Sequence, residues 1–169
     1  MTNLLSNQSS PTSAGALLRL IREEVAVTRA DLARETGLAR STVAQRVDAL
    51  LGQGLVYEAV GSPSAGGRPA TVLAFNRDAG VVLVADLGAT HARVAVSDLA
   101  GTPLAERASD LDIGIGPETA LAWVAERFAE LLNEVGRSGN DVRGIGVGVP
   151  GPVEFDSGRP VNPPIMPGW

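Results

Sequence analysis

The chain has 169 residues, 44% of them hydrophobic, with one histidine, no cysteine and a formal net charge of −5. It can bury a core, which excludes disorder of the whole chain, but it cannot build a disulfide scaffold, a cysteine-based zinc site or a histidine metal cluster. No run approaches the roughly twenty apolar residues that cross a bilayer, and the opening MTNLLSNQSSPTSAG has neither the basic patch nor the apolar stretch of a secretory signal.

A cytoplasmic protein with no membrane partner is therefore expected. The length suits one ordinary domain or two small ones. Charge is unevenly placed. Residues 1–79 hold eight Arg against seven acids (+1), and residues 80–169 hold six Arg against twelve acids (−6). All fourteen basic residues are Arg, and Ala and Gly abound, a composition that points to a GC-rich bacterial genome.

Residues 1–13 read as a flexible polar lead. Leu17, Leu18, Ile21 and Val25 then recur at helical spacing and predict a helix over about 15–25. Thr28-Arg29-Ala30-Asp31 is a helix start signal, and that second helix runs to about Thr36, where Gly37 allows a sharp turn. A third helix spans about Arg40 to Leu51, ended by Gly52 and Gly54. Two short β runs, Leu55–Val60 and Ala70–Phe75, flank the loop GSPSAGGRP. Three helices and a hairpin over 14–76 make a winged helix-turn-helix.

After a joint at Asn76–Gly80 the pattern changes. Val81–Ala85 and Arg93–Ser97 are strands, and Asp98-Leu99-Ala100-Gly101 turns the chain into a third strand near 102–112. Pro117–Val135 is a helix with Leu121, Val124, Phe128, Leu131, Leu132 and Val135 on one face and Glu118, Glu126, Glu130 and Glu134 on a solvated one. Trp123 is expected as a partly buried anchor. Ile145–Val149 is expected as a buried strand closed by Pro150-Gly151-Pro152, and the Pro/Gly-rich tail shows no further helix or strand signal. The fold class is α+β in two domains, the second a β-β-β-α-β unit over 80–169 that is incomplete as a nucleotide-binding domain.

At 100° per residue, Val43, Val47, Leu50 and Leu51 gather on one side of the third helix, and Ser41, Thr42, Gln45, Asp48 and Ala49 face away. Ser41, Thr42 and Gln45 sit where a recognition helix meets base edges in the major groove. Gln pairs bidentately with adenine, and Thr touches the thymine methyl. Arg40 and Arg46 flank this face and suit phosphates. The tetrapeptide Gly66-Gly67-Arg68-Pro69 alone reads as a turn with a solvated arginine. On a wing directly after such a helix, Arg68 has the shape to enter a narrow A·T minor groove.

The run TRADLARETGLARSTVAQRVDALLGQGLV, followed by GGRPATVLAFN, resembles the N-terminal module of ROK-family transcriptional repressors. DLGATHARVAVSDLAG and GIGVGVPGPV…NPPIMPGW resemble the first half of the ROK sugar-binding domain, so the likeness covers about Ala14 to Trp169. It implies an actin-like, ribonuclease-H-like fold for 80–169. It also implies a repressor, a homodimer or larger assembly at full length, that binds double-stranded operator DNA and responds to a sugar or sugar phosphate. Ala39 stands where the family often has a capping Ser.

In the family's kinases the loop matching Asp86–His91 reads Asp-x-Gly-Gly-Thr and then a basic residue. Here Asp86, Gly88 and Thr90 are the positions that would hold a nucleotide, but Ala89 replaces the second Gly and His91 the Lys. A weak nucleotide site and a hairpin kept for folding both remain open. The resemblance places sugar contacts at Gly151 and Asn162, the latter able to accept and donate. It places the family's catalytic Asp and its zinc site beyond Trp169, so no catalytic residue, metal site or cofactor is expected within the chain. The main expectation is a sugar-responsive repressor; a sugar kinase with an added N-terminal module and a truncated, non-functional remnant are the alternatives.

Overall fold

A computed structural model describes residues 13–60, 71–161 and 164–169. They divide into two compact units, Met1–Ala79 and Gly80–Trp169. The polar lead expected over 1–13 lies, apart from Ser13, outside the described residues, as does the loop 61–70. Among the described residues, no helix is long and apolar enough to cross a membrane.

The first unit contains α1 (Ala14–Arg22), α2 (Arg29–Thr36), α3 (Arg40–Gly52), β1 (Val56–Val60) and β2 (Thr71–Phe75). The Ser13 side chain accepts from the Ala16 N–H and starts α1. This helix is shorter than its periodicity predicts. It stops at Arg22, Glu24 takes a left-handed φ of 56°, and Val25 stands 56% exposed outside it. Ala26 is buried instead, and the Val27 carbonyl accepts from the Leu73 N–H at 2.7 Å, which lays this segment against the hairpin. Spacing alone placed Val25 on the helix; an early helix stop decided otherwise.

The start of α2 follows the sequence closely. Thr28 Oγ1 accepts from the Asp31 N–H at 3.1 Å and donates to Asp31 Oδ2 at 2.6 Å. That hydroxyl donation, and then the Arg34 guanidinium, hold the Asp31 carboxyl below its ordinary value of 3.8. A lowered carboxylate contributes stability above its unfolded pKa, and the contribution is lost as pH falls through the folded value. Thr28→Ala should cost about 1 kcal/mol through the lost cap, seen as a lower urea midpoint. The same variant should show a weaker loss of stability on acidification below the ordinary carboxylate range. An unchanged midpoint would show that the cap carries no weight.

Gly37 ends α2 at φ 69°, where a side chain would be strained. α3 begins at Ala39 without a side-chain cap, as its sequence implies, yet runs for 13 residues because Val43, Val47 and Leu50 are buried. With Leu17, Ile21, Ala26, Leu32, Val56 and Leu73 they make one core. Strands β1 and β2 pair antiparallel from Val56↔Phe75 to Val60↔Thr71. The Asn76 side-chain amide donates to the Gly54 carbonyl at 2.9 Å and its backbone N–H to Leu55, which closes the base of the hairpin.

The second unit contains β3 (Val81–Leu87), β4 (His91–Asp98), β5 (Pro103–Asp110), α4 (Pro117–Glu134) and β6 (Val142–Gly148). The sheet order is β5-β4-β3-β6, with β3–β4 and β4–β5 antiparallel and β3–β6 parallel. The β-β-β-α-β order is thus the expected one. The nearly buried Asp98 accepts from the Ala100 and Thr102 N–H groups, both at 2.9 Å, and Gly101 at φ 90° completes the turn. Ala120, Val124, Phe128 and Leu131 of α4 pack on Val81, Leu83, Ala85, Leu87, Ala92, Val94 and Val96. Trp123 is half-buried against them, as expected.

Three expectations fail here. Leu121 is 44% exposed and lies off the packed stripe. The strand expected as buried over Ile145–Val149 is an edge: α4 lies over β4 and β5, leaving Ile145 63% and Val147 44% exposed. The tail, which carried no structural signal, returns to the core. Met166 is fully buried, and the Trp169 indole N–H donates to the Ile113 carbonyl at 3.3 Å. An isolated bridge also joins Val153 and Pro160.

Candidate nucleic-acid interface

Burying Val43, Val47 and Leu50 dictates what α3 shows to solvent. Arg40, Ser41 and Gln45 are exposed, while Thr42 and Arg46 are half-buried. Arg40 is the first residue of the helix, and no acidic side chain occupies the first turn. The positive end of the backbone dipole, the guanidinium and the Ser41 hydroxyl therefore stand together, an arrangement that favours anions. Gln45 lies one turn further along the same face. Arg46, expected to flank this face and suit phosphates, is half-buried. One terminal nitrogen of its guanidinium is buried without a hydrogen-bond partner among the described residues.

Two acidic groups frame this face, Asp48, expected on the outward side of α3, and Glu58, which no sequence pattern singled out. Asp48 stands on the outer side of α3, and Glu58 leads into the wing on β1. Arg29, at the start of α2, binds both: Nη1 to Glu58 Oε1 at 2.7 Å and Nη2 to Asp48 Oδ1 at 3.4 Å. The hydrogen bond to Glu58, the largest influence, raises the Arg29 pKa above its usual value. The helix-start signal at Thr28 marked this segment, but a contact across 29 residues has no local sequence signature. Arg68, at the expected wing tip, lies outside the described residues.

In the second unit, Asp86 ends the outward face of β3 and pairs in register with Gly148 of β6. Its carboxylate lies over Gly148, where a side chain would crowd it. Asp86, the loop 88–90 and the Gly148–Gly151 turn thus meet at the carboxyl ends of two neighbouring parallel strands, where open α/β sheets place their ligands. The loop itself is closed. The Gly88 N–H donates to the His91 carbonyl at 2.8 Å, the carbonyls of Ala89 and Thr90 accept from Ile113 and Leu111, and the His91 ring lies directly over Gly88. An N–H spent on a hairpin is unavailable to phosphate. Gly151 is half-buried at this end, and Asn162 falls outside the described residues.

A sequence model of the winged helix-turn-helix DNA-binding family matches residues 14–57. The chain is 30% identical over 140 residues to the xylose repressor of Bacillus subtilis, which covers 83% of this chain and 36% of that protein. It is 27% identical over 150 residues to the xylose repressor of Caldicellulosiruptor bescii, covering 89% of this chain and 38% of the relative. It therefore spans little more than a third of the length of these relatives. A crystal structure of a ROK family transcriptional regulator, a homologue of the E. coli MLC protein, superposes with a TM-score of 0.72 at 23% identity, over 90% of this chain and 39% of the other. A winged helix-turn-helix followed by this mixed sheet is thus alike in sequence to both repressors over more than four fifths of the chain and shares its fold with the corresponding part of the ROK family regulator.

Proposed function

We propose that the chain reads an operator in double-stranded DNA through α3 and its wing, as part of a repressor whose second unit responds to xylose or a related sugar. The observation that carries this reading is the polar N-terminal face of α3. Ser41 and Gln45 are exposed on a helix whose opposite side is locked into the core. Arg40 would hold a phosphate, and Ser41, Thr42 and Gln45 would meet base edges. Arg46 would add charge beside them and Arg68 would reach a minor groove. Two copies would place two α3 helices one helical turn apart on a two-fold operator. The sugar would bind near Gly151 and Asn162, and would regulate DNA binding only through different affinities for the two states of the dimer.

The kinase alternative finds less support. The Gly88 N–H is engaged within its own hairpin, which leaves one donor fewer for a phosphate cradle.

Selection from a random duplex pool at near-physiological salt tests the reading. A defined half-site should emerge, and Gln45→Ala should relax the preference at one base pair by about tenfold or more, the effect of losing one bidentate contact. Retention only at low salt, with no enriched sequence, would reduce the interaction to nonspecific phosphate binding.

A further inference from the structure

Asp48 and Glu58 are out of place on a surface meant for DNA. At 100° per residue Asp48 shares the outer side of α3 with Ser41 and Gln45, and its side chain is 67% exposed. Glu58 begins the approach to the wing and is 46% exposed. Its register partner is the buried Leu73, so it leans toward the helices and not toward the outer face of the hairpin. Both carboxylates would repel phosphates, in a segment whose charge balance over residues 1–79 is only +1.

One side chain answers both. The Arg29 guanidinium presents its donors as a rigid fork, and two of its nitrogens engage the two carboxylates from a third element, α2. Ion pairs this exposed contribute little to stability, so the arrangement needs another explanation than folding. We propose that Arg29 is a positioning residue for DNA reading, neutralising Asp48 and Glu58 so that β1 and the reading helix α3 meet the phosphates without repulsion. The proposal rests on the DNA-reading function above. Arg29 does its work through these two carboxylates and does not itself touch DNA.

The test compares the full chain with R29A, R29K, D48N/E58Q and R29A/D48N/E58Q, by affinity for the selected duplex at 50–200 mM salt and by urea midpoint. R29A should bind about three- to tenfold more weakly at the low-salt end, the deficit shrinking as salt screens the freed carboxylates, with its urea midpoint nearly unchanged. R29K, a point charge unable to fork, should fall between R29A and the wild type. D48N/E58Q should bind more tightly than the wild type, and R29A/D48N/E58Q should return to within about twofold of D48N/E58Q, because the repulsion that Arg29 offsets is gone. A triple variant still as deficient against D48N/E58Q as R29A is against the wild type would make Arg29 a direct phosphate contact and overturn the proposal. So would D48N/E58Q binding no better than the wild type, or R29A binding as well. A wild-type chain that retains no duplex would overturn the DNA-reading function itself, and is told apart because it fails before any substitution.

Discussion

Val47→Asp should unfold the helix-turn-helix unit and abolish DNA retention while leaving the sheet unit folded. Val47 is fully buried between α3 and the rest of the first core. A carboxylate there has no cation beside it among the core residues, and the group must either stay charged in an apolar interior or take up a proton. Either way the cost is several kcal/mol, in the range reserved for unpaired buried charge. The unit is small, so its whole stability lies toward the low end of about 5–15 kcal/mol. Hydrogen exchange followed by peptide should show protection lost over α2, α3, β1 and β2 and kept over β3 and β4. The sign with pH is fixed as well. The raised folded-state pKa of the introduced Asp means its penalty is smallest in acid and grows as pH rises through the ordinary carboxylate range. Protection over α3 equal to the wild type at neutral pH would contradict this packing.

Leu131→Ala should do the reverse. Leu131 is fully buried in the last turns of α4 and anchors the helix on the sheet. Truncation removes apolar contact and leaves a cavity, costing about 2–5 kcal/mol. Exchange protection should fall over β3, β4 and α4, and the urea transition assigned to those peptides should move to lower concentration. The transition of the first unit should stay where it was, as should binding of the chain to its selected half-site at low salt. A single transition that moves for both units together would show that they fold as one and would remove the division at Ala79.

The same contrast explains which features could be read from the chain alone. Helix starts at Thr28, the stop at Gly37, the turn at Asp98–Gly101 and the apolar stripe Val43–Val47–Leu50 each depend on residues within one or two turns of each other. Their chemistry is local: a hydroxyl beside a free N–H, a glycine at positive φ, a 3.6-residue period. The outward placement of Ser41 and Gln45 follows from that stripe, so the central part of the candidate interface was legible too. Resemblance to a known family supplied the positions Gly151 and Asn162, which no local pattern singles out.

Where local pattern and tertiary packing disagreed, packing prevailed. Val25 kept the helical period but fell beyond a helix that stops at Arg22. Leu121, Ile145 and Val147 are apolar and in the right period, yet the position of α4 over β4 and β5 leaves them in solvent. Met166 and Trp169 had no period at all and still joined the core, because the tail folds back on residues some fifty positions earlier. By itself the sequence determined the elements, their order and the polar face of α3, since those depend on neighbours along the chain. Only the tertiary structure decided which apolar faces are covered, that the Gly88 N–H is spent on its own hairpin, and that Arg29 joins Asp48 to Glu58, since each of these depends on groups that the backbone brings together only once it has folded.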